Sequence, residues 1–206
     1  MFQRVRENMG ASPAPDPDVE LMLRVRDGDD KSFGVLLDKH RSALVHFLCR
    51  MVQDEAVSEE LAQEVFLRVY RSRASYEATA RFTTWMFRIA THLALNWLRD
   101  EKNSRAQERL DEDRGDDLPA RELPDRAPSV EQRMVYRARL QEIRDAVGTL
   151  PDKQRAAVLM HKYREMDYAQ IAVVLDCSES AVKSLLFRAY ESLRGRLAHM
   201  VARTRT

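Results

Sequence analysis

Cysteine is nearly absent from this chain: Cys49 and Cys177 are the only two in 206 residues, and they lie far apart. No paired spacing suggests a disulfide framework, a redox couple or a thiolate zinc site, so both read as small buried or half-buried residues. His46 stands three residues before Cys49 on an expected helix, but two ligands do not hold a metal, so core packing is the reading and no metal is expected. Glycine is scarce too, with six residues and none arranged as a phosphate-binding loop. No nucleophile motif occurs, so no catalytic residue, cofactor or enzyme activity is expected. No apolar run reaches the ~18 residues that a membrane-spanning helix needs, and the N-terminus lacks an apolar signal core. Membrane insertion is not expected, and the expected location is the cytoplasm. Net charge is also missing, because 34 basic and 33 acidic residues leave +1, and bulk charge therefore announces no nucleic acid.

Charge is instead distributed. Residues 179–206 hold six Lys or Arg against two Glu, whereas residues 111–126 hold seven acids against three Arg. Apolar residues recur at helical spacing and no strand is needed, so the expected fold is all-α, with two small helical domains joined by a flexible linker. Residues 1–18, with three prolines and no apolar period, read as a loose tail. The first domain spans 19–102, the charged linker 103–133 and the second domain 134–206. In the first domain, helices are expected from Val19 to about Arg26 and from Asp30 or Lys31 onward, the latter with a stripe of Leu37, Leu44, Phe47, Leu48 and Met51. A third is expected over 58–71, with Ala62, Val65, Phe66, Val69 and Tyr70 inward. Asp54, Glu55, Glu59, Glu60 and Glu64, with Gln63, crowd its start, where carboxylates complement the helix dipole. A fourth helix, capped by Thr83 or Thr84, turns Met86, Ile89, Ala90, Leu93 and Trp97 inward and lines Arg88, His92, Asn96 and Arg99 along another edge.

The second domain opens with Leu140, Ile143, Val147 and Leu150, continues through Ala156, Leu159, Met160 and Tyr163, and ends in residues 167–188, which have the form of a helix-turn-helix. Ile171, Ala172 and Leu175 make one short apolar face. The pattern breaks at Asp176, Cys177 and Ser178 and resumes with Val182, Leu186, Ala189, Leu193 and Leu197. Ser178 is a good N-cap for the second helix, although no glutamate stands at the third helical position to complete a capping box. With Val182, Leu186 and Ala189 inward, Lys183, Ser184, Phe187 and Arg188 share the outer face. Such a set suits a helix in the major groove, and it equally suits a solvated surface.

Five segments in order resemble bacterial sigma factors of the extracytoplasmic-function group, the promoter-recognition subunits of RNA polymerase. In the first half they are DEAVSEELAQEVFLRVYR and FTTWMFRIATHLALNWLR, similar to that family's acidic helix with "QE-x-F" and its "TW-x-x-x-IA" helix. In the second half they are LPDKQRAAVLMHKY, YAQIAVVL and SAVKSLLFRAYESLRGRL, similar to "LP-x-x-x-R", "IA" and "VKS-x-x-x-RA-x-x-x-L". The resemblance implies that Asp54, Glu59, Glu60, Gln63 and Glu64 dock core RNA polymerase. It implies that the loop 75–81 captures an unpaired base of the minus-ten element, with Tyr76, Arg81 and Phe82 at the loop and Arg88, His92 and Asn96 beside it. Lys183, Ser184, Phe187 and Arg188 would read the minus-thirty-five element of promoter DNA.

His92 and Asn96 depart from the Asn and Asp common in the family, and Asp176 from its usual glycine, so the resemblance does not carry over a promoter sequence. The family likeness also implies a separate anti-sigma factor, since no extra region lies between the halves or after Thr206. The alternative is a stand-alone helix-turn-helix regulator that binds an operator as a dimer without engaging polymerase. The acidic helix and the melting-loop segment count against it.

Overall fold

Side-chain caps decide where five of the helices begin. Asp16 accepts from the Asp18 amide before α1 (Pro17–Arg26), Asp29 from Lys31 and Ser32 before α2 (Asp30–Val52), and Asp54 from Val57 before α3 (Glu55–Arg71). Asp167 and Gln170 form a reciprocal capping box at α7 (Tyr168–Leu175), and Ser178 accepts from the Ala181 amide at α8 (Glu179–Arg196). Each cap satisfies a donor that the first helical turn leaves without a partner. The remaining helices are α4 (Phe82–Glu108), α5 (Val130–Gly148), α6 (Asp152–Tyr163) and α9 (Ala198–Ala202), and a 3-10 turn covers Arg73–Ser75. The computed structural model describes residues 16–108 and 130–202, and no strand occurs among them.

Several boundaries differ from those read in the sequence. α3 starts at Glu55 rather than Ser58, because Asp54 caps it. α4 starts at Phe82, so Thr83 and Thr84 lie inside it and neither is the cap; Thr84 is buried with its Oγ1 unpaired. α4 also runs six residues past the expected domain end, to Glu108, and α5 begins at Val130, so helix occupies both ends of the segment expected as linker. Residues 109–129, the rest of that segment, lie outside the described residues, as does most of the N-terminal tail.

α1 to α4 pack around Leu36, Leu44, Leu48, Met51, Val65, Val69, Phe82 and Met86, all fully buried. α1 is tied to α2 by the buried Asp18 carboxylate, which accepts from Lys39 Nζ at 2.6 Å and pairs with His40 Nε2 at 2.9 Å. Burial holds the His40 imidazole below its usual range, and the Asp18 charge opposes that. His46, expected in the core, is exposed, and Cys49 and Cys177 are half-buried.

The C-terminal helices do not stand apart. α7 packs along α4, and α6 packs against both α2 and α4, so the buried side chains form one continuous cluster from Met22 to Ala189. α4 is consequently buried on two sides. Ala90 and Leu93 of the expected stripe are inside, and so are Phe87, Thr91, Ala94 and Leu98, which share a second face of the same helix. α6 is buried without a break from Arg155 to Met160.

Candidate functional surfaces

α8 turns Val182, Leu186 and Ala189 into the core, which leaves Lys183, Ser184, Phe187 and Arg188 together on its outer side. All four are exposed, and Phe187 keeps 67% of its surface in solvent. An aromatic left so open has no packing role here. Lys183 Nζ lies 5.8 Å from the centre of the Tyr168 ring, and that ring stacks on His161 at 5.6 Å. Ser184 donates to the Ser180 carbonyl at 3.0 Å, and Arg188 Nε donates to the Ser184 carbonyl at 3.2 Å. The turn before α8 is closed by Asp176 with φ +50°, a left-handed conformation that Asp tolerates better than most residues lacking glycine's freedom.

Arg81, just before α4, and Arg88, His92 and Asn96 on it are exposed. Tyr76 and Phe82, assigned with them from the sequence, are not. Tyr76 is 3% exposed and Phe82 fully buried, so neither ring is presented to a base in this conformation. The cause is local. The backbone leaves the 3-10 turn extended at Tyr76 and swings its ring onto Trp85, 4.9 Å away between centres. Phe82 fills the space between Trp85 and His40, at 6.1 and 5.4 Å. The Tyr76 hydroxyl has no hydrogen-bond partner, and burial pushes its pKa up to about 12. Trp85, half-buried over both rings, is the aromatic that reaches the surface beside Arg81 and Arg88. The i+4 and i+3 spacing of Trp85 to that arginine pair carried the signal for it.

The acidic end of α3 is less uniform than its composition. Glu59 is paired with Arg41 at 3.2 Å and Glu64 with Arg68 at 2.7 Å, whereas Glu60 makes no ion pair among the described residues and is exposed, as is Gln63. Asp54 Oδ1 is occupied in capping Val57, at 2.9 Å. Asp54→Ala is therefore expected to lower stability by ~1 kcal/mol through the lost cap, read as a shifted denaturant midpoint. Between α2 and α3 lies a groove of about 500 Å³ lined by Phe33, Leu37, Phe66, Leu67 and Tyr70 with Arg41, Glu59 and Gln63 at its edge. Leu67 is 48% exposed. Reading α3 as an acidic face missed this apolar floor, although Leu67 interrupting the polar side was a visible sign.

Arg155, the arginine of the LP-x-x-x-R segment, is a structural tie that sequence reading did not single out. Its guanidinium is buried and donates to the carbonyls of Gly148 at 2.6 Å, Leu150 at 3.1 Å and Met51, the last near the C-terminus of α2. Among the described residues no group of three or more His, Cys, Asp or Glu could hold a metal, and no helix is long and apolar enough to cross a membrane.

These surfaces coincide with known sequence families. The sigma-70 region 2 profile matches residues 36–104 and the sigma-70 region 4 profile matches residues 140–193, together more than half of the chain. The chain is an RNA polymerase sigma factor of the extracytoplasmic-function group. It is 28% identical over 185 residues to the RNA polymerase sigma-H factor of Pseudomonas aeruginosa, covering 86% of this chain and 92% of that protein. It is also 28% identical to the ECF RNA polymerase sigma-E factor of Haemophilus influenzae, over 87% of this chain and 95% of the relative. Among solved structures, the fold resembles that of sigma factor RpoE in complex with the anti-sigma factor NepR from Bartonella quintana, with a TM-score of 0.62 and 22% identity over 82% of this chain and 98% of that one. The all-α fold read from periodicity is the fold of this sigma factor.

Proposed function

We propose that this sigma factor docks core RNA polymerase through α3 and the α2–α3 groove, meets the minus-ten element with the exposed edge of α4, and reads the minus-thirty-five element with α8. The observation that carries the assignment is the outward grouping of Lys183, Ser184, Phe187 and Arg188, which the core does not use. Long cationic donors reach guanine acceptors and phosphates, and an aromatic edge meets a thymine methyl. Arg81, just before α4, and Arg88, His92 and Asn96 on it supply phosphate contacts and hydrogen bonds, with Trp85 as the stacking surface for an unpaired base. Its role is that of a non-enzymatic initiation subunit working in the cytoplasm, where its polymerase is. The RpoE–NepR complex supports the inference of an anti-sigma partner for this chain as well.

Transcription with purified core polymerase tests the whole reading. A sigma factor makes the core start at a defined promoter, whereas a stand-alone helix-turn-helix regulator binds DNA and leaves the core unspecific. A second test isolates docking. Because Glu59 and Glu64 already have arginine partners, the unpaired Glu60 contributes most to attraction of a basic surface. Glu60→Lys is expected to weaken core binding about fivefold, an effect that shrinks as salt screens it. Glu59→Gln should change affinity less. Titration of labelled protein with core polymerase at two salt concentrations measures both, and equal effects would remove Glu60 from the interface.

A further inference from the structure

We propose that Asp18 and His40, buried against each other, are positioning residues for promoter melting, and that together they set where Arg81 and Trp85 stand at the head of α4. The inference rests on the reading of those two residues as part of the minus-ten surface. Asp18 is 4% exposed and His40 6%, so neither reaches DNA. One oxygen of the Asp18 carboxylate accepts from Lys39 Nζ at 2.6 Å, and the other lies 2.9 Å from His40 Nε2. A carboxylate only accepts, so Nε2 carries the hydrogen, which fixes both the tautomer and the rotation of the ring. The same ring lies 5.4 Å from the Phe82 ring, tilted by 45°. Phe82 is fully buried and lies 6.1 Å from Trp85, whose indole covers Tyr76 at 4.9 Å. A second path reaches the same place. α1 packs on the turn Arg73–Ser75 and on α4 as well as on α2, and the Asp16 charge adds to burial in raising the Tyr76 pKa, which sets the start of α1 near that hydroxyl.

A buried carboxylate is a costly way to hold two helices together. Apolar residues of similar volume do so as well or better, because desolvation of the charge offsets most of its attraction. What the hydrogen bond adds is direction, since it selects one rotation of the imidazole where a leucine in the same space has several rotamers. Direction matters here because the ring meets Phe82, the first residue of α4, and Arg81 stands immediately before it. A ring free to turn lets Phe82 shift, and Trp85 and Arg81 shift with it. Misplacing a positioned group by ~1 Å is enough to slow the step it serves by a large factor, even when the change lies far from that step.

The test uses the full chain with Trp97→Phe, which leaves Trp85 as the remaining one of two tryptophans. In that parent, Asp18→Asn keeps an oxygen that accepts from Nε2, while the half-exposed Lys39 side chain turns to water. Asp18→Leu with His40→Leu instead replaces the pair by apolar volume. Asp18→Asn should match the parent in every measurement. The double-leucine chain should keep the parent's denaturant midpoint and its affinity for core polymerase. In complex with the core, however, it should give about fivefold less permanganate reactivity at minus-ten thymines, and iodide should quench Trp85 about twofold more. Asp18→Asn with His40→Phe keeps both volumes and removes only the ring donor, so it carries the same expectation should the leucine pair not fold. The inference is overturned if the donor-less chains melt DNA as the parent does, if Asp18→Asn loses as much as they do, or if Trp85 is quenched alike in all. Core affinity falling in step with melting also overturns it, because the pair is then a general structural tie. If Arg81→Ala leaves melting intact, the failure belongs to the minus-ten surface, and quenching of Trp85 alone decides whether the pair positions it.

Discussion

Phe82→Ala is expected to destabilise the protein by ~3–5 kcal/mol, the range for deleting a buried aromatic ring and leaving its cavity. Phe82 is fully buried at the first position of α4, wedged between His40 on α2 and Trp85 one turn along its own helix. Its loss removes the support under Trp85 and frees the segment from Tyr76 to Arg81, so minus-ten binding should fall with stability. Arg81→Ala should separate the two effects. Its side chain is exposed, so stability should stay within ~0.5 kcal/mol while promoter melting weakens.

Tyr76→Phe sharpens the distinction. The buried Tyr76 hydroxyl has no partner, and deleting an unsatisfied buried hydroxyl while keeping the ring should stabilise the fold by ~1 kcal/mol or leave it unchanged. Denaturant unfolding monitored by circular dichroism gives the stabilities, and permanganate reactivity of promoter thymines gives the melting. A Tyr76→Phe protein of full stability that fails to melt DNA would return that hydroxyl to a direct role.

The roles of Tyr76 and Phe82 show what kind of inference the sequence supports. Phe82 precedes Met86, Ala90 and Leu93 by four, eight and eleven residues, which is the same helical stripe, so its burial was legible in periodicity. Placing it by family position beside a DNA-binding loop overrode that signal. α8 presented no such conflict, because three inward residues fix the opposite face. The second buried face of α4 was harder to read. Phe87 meets Phe47 of α2 at 5.0 Å between ring centres, and α7, about eighty residues further along the chain, also packs on α4, so tertiary packing makes this face interior.

α6 did carry a sign of this packing, since Ala156 to Met160 are five apolar residues in succession, and a helix apolar around its circumference is covered on more than one side. The role of Arg155 was beyond sequence reading altogether. An arginine four residues after a proline is an ordinary helix residue until the carbonyls it meets, one of them 104 residues away, are known.

Removing both Lys183 and Arg188 should abolish discrimination of the upstream element. The two side chains share the exposed side of α8 but start from different places. Arg188 is folded back, its Nε on the Ser184 carbonyl, and must swing outward to present its planar donor pair to guanine. Lys183 extends toward the ring of Tyr168, at the N-terminus of α7, and its mobile ammonium suits a phosphate. Arg188→Ala should therefore relax preference at one base pair, at ~1–3 kcal/mol. Lys183→Ala should weaken cognate and scrambled sequences alike and make the dependence of affinity on salt shallower by about one ion. Competition binding of the polymerase complex to duplexes differing at single upstream positions, repeated at several salt concentrations, separates the two effects. A double variant that still distinguished cognate from scrambled upstream DNA as the unmodified protein does would show that α8 is not the reader, and would turn attention to the exposed N-terminal turn of α7 around Tyr168.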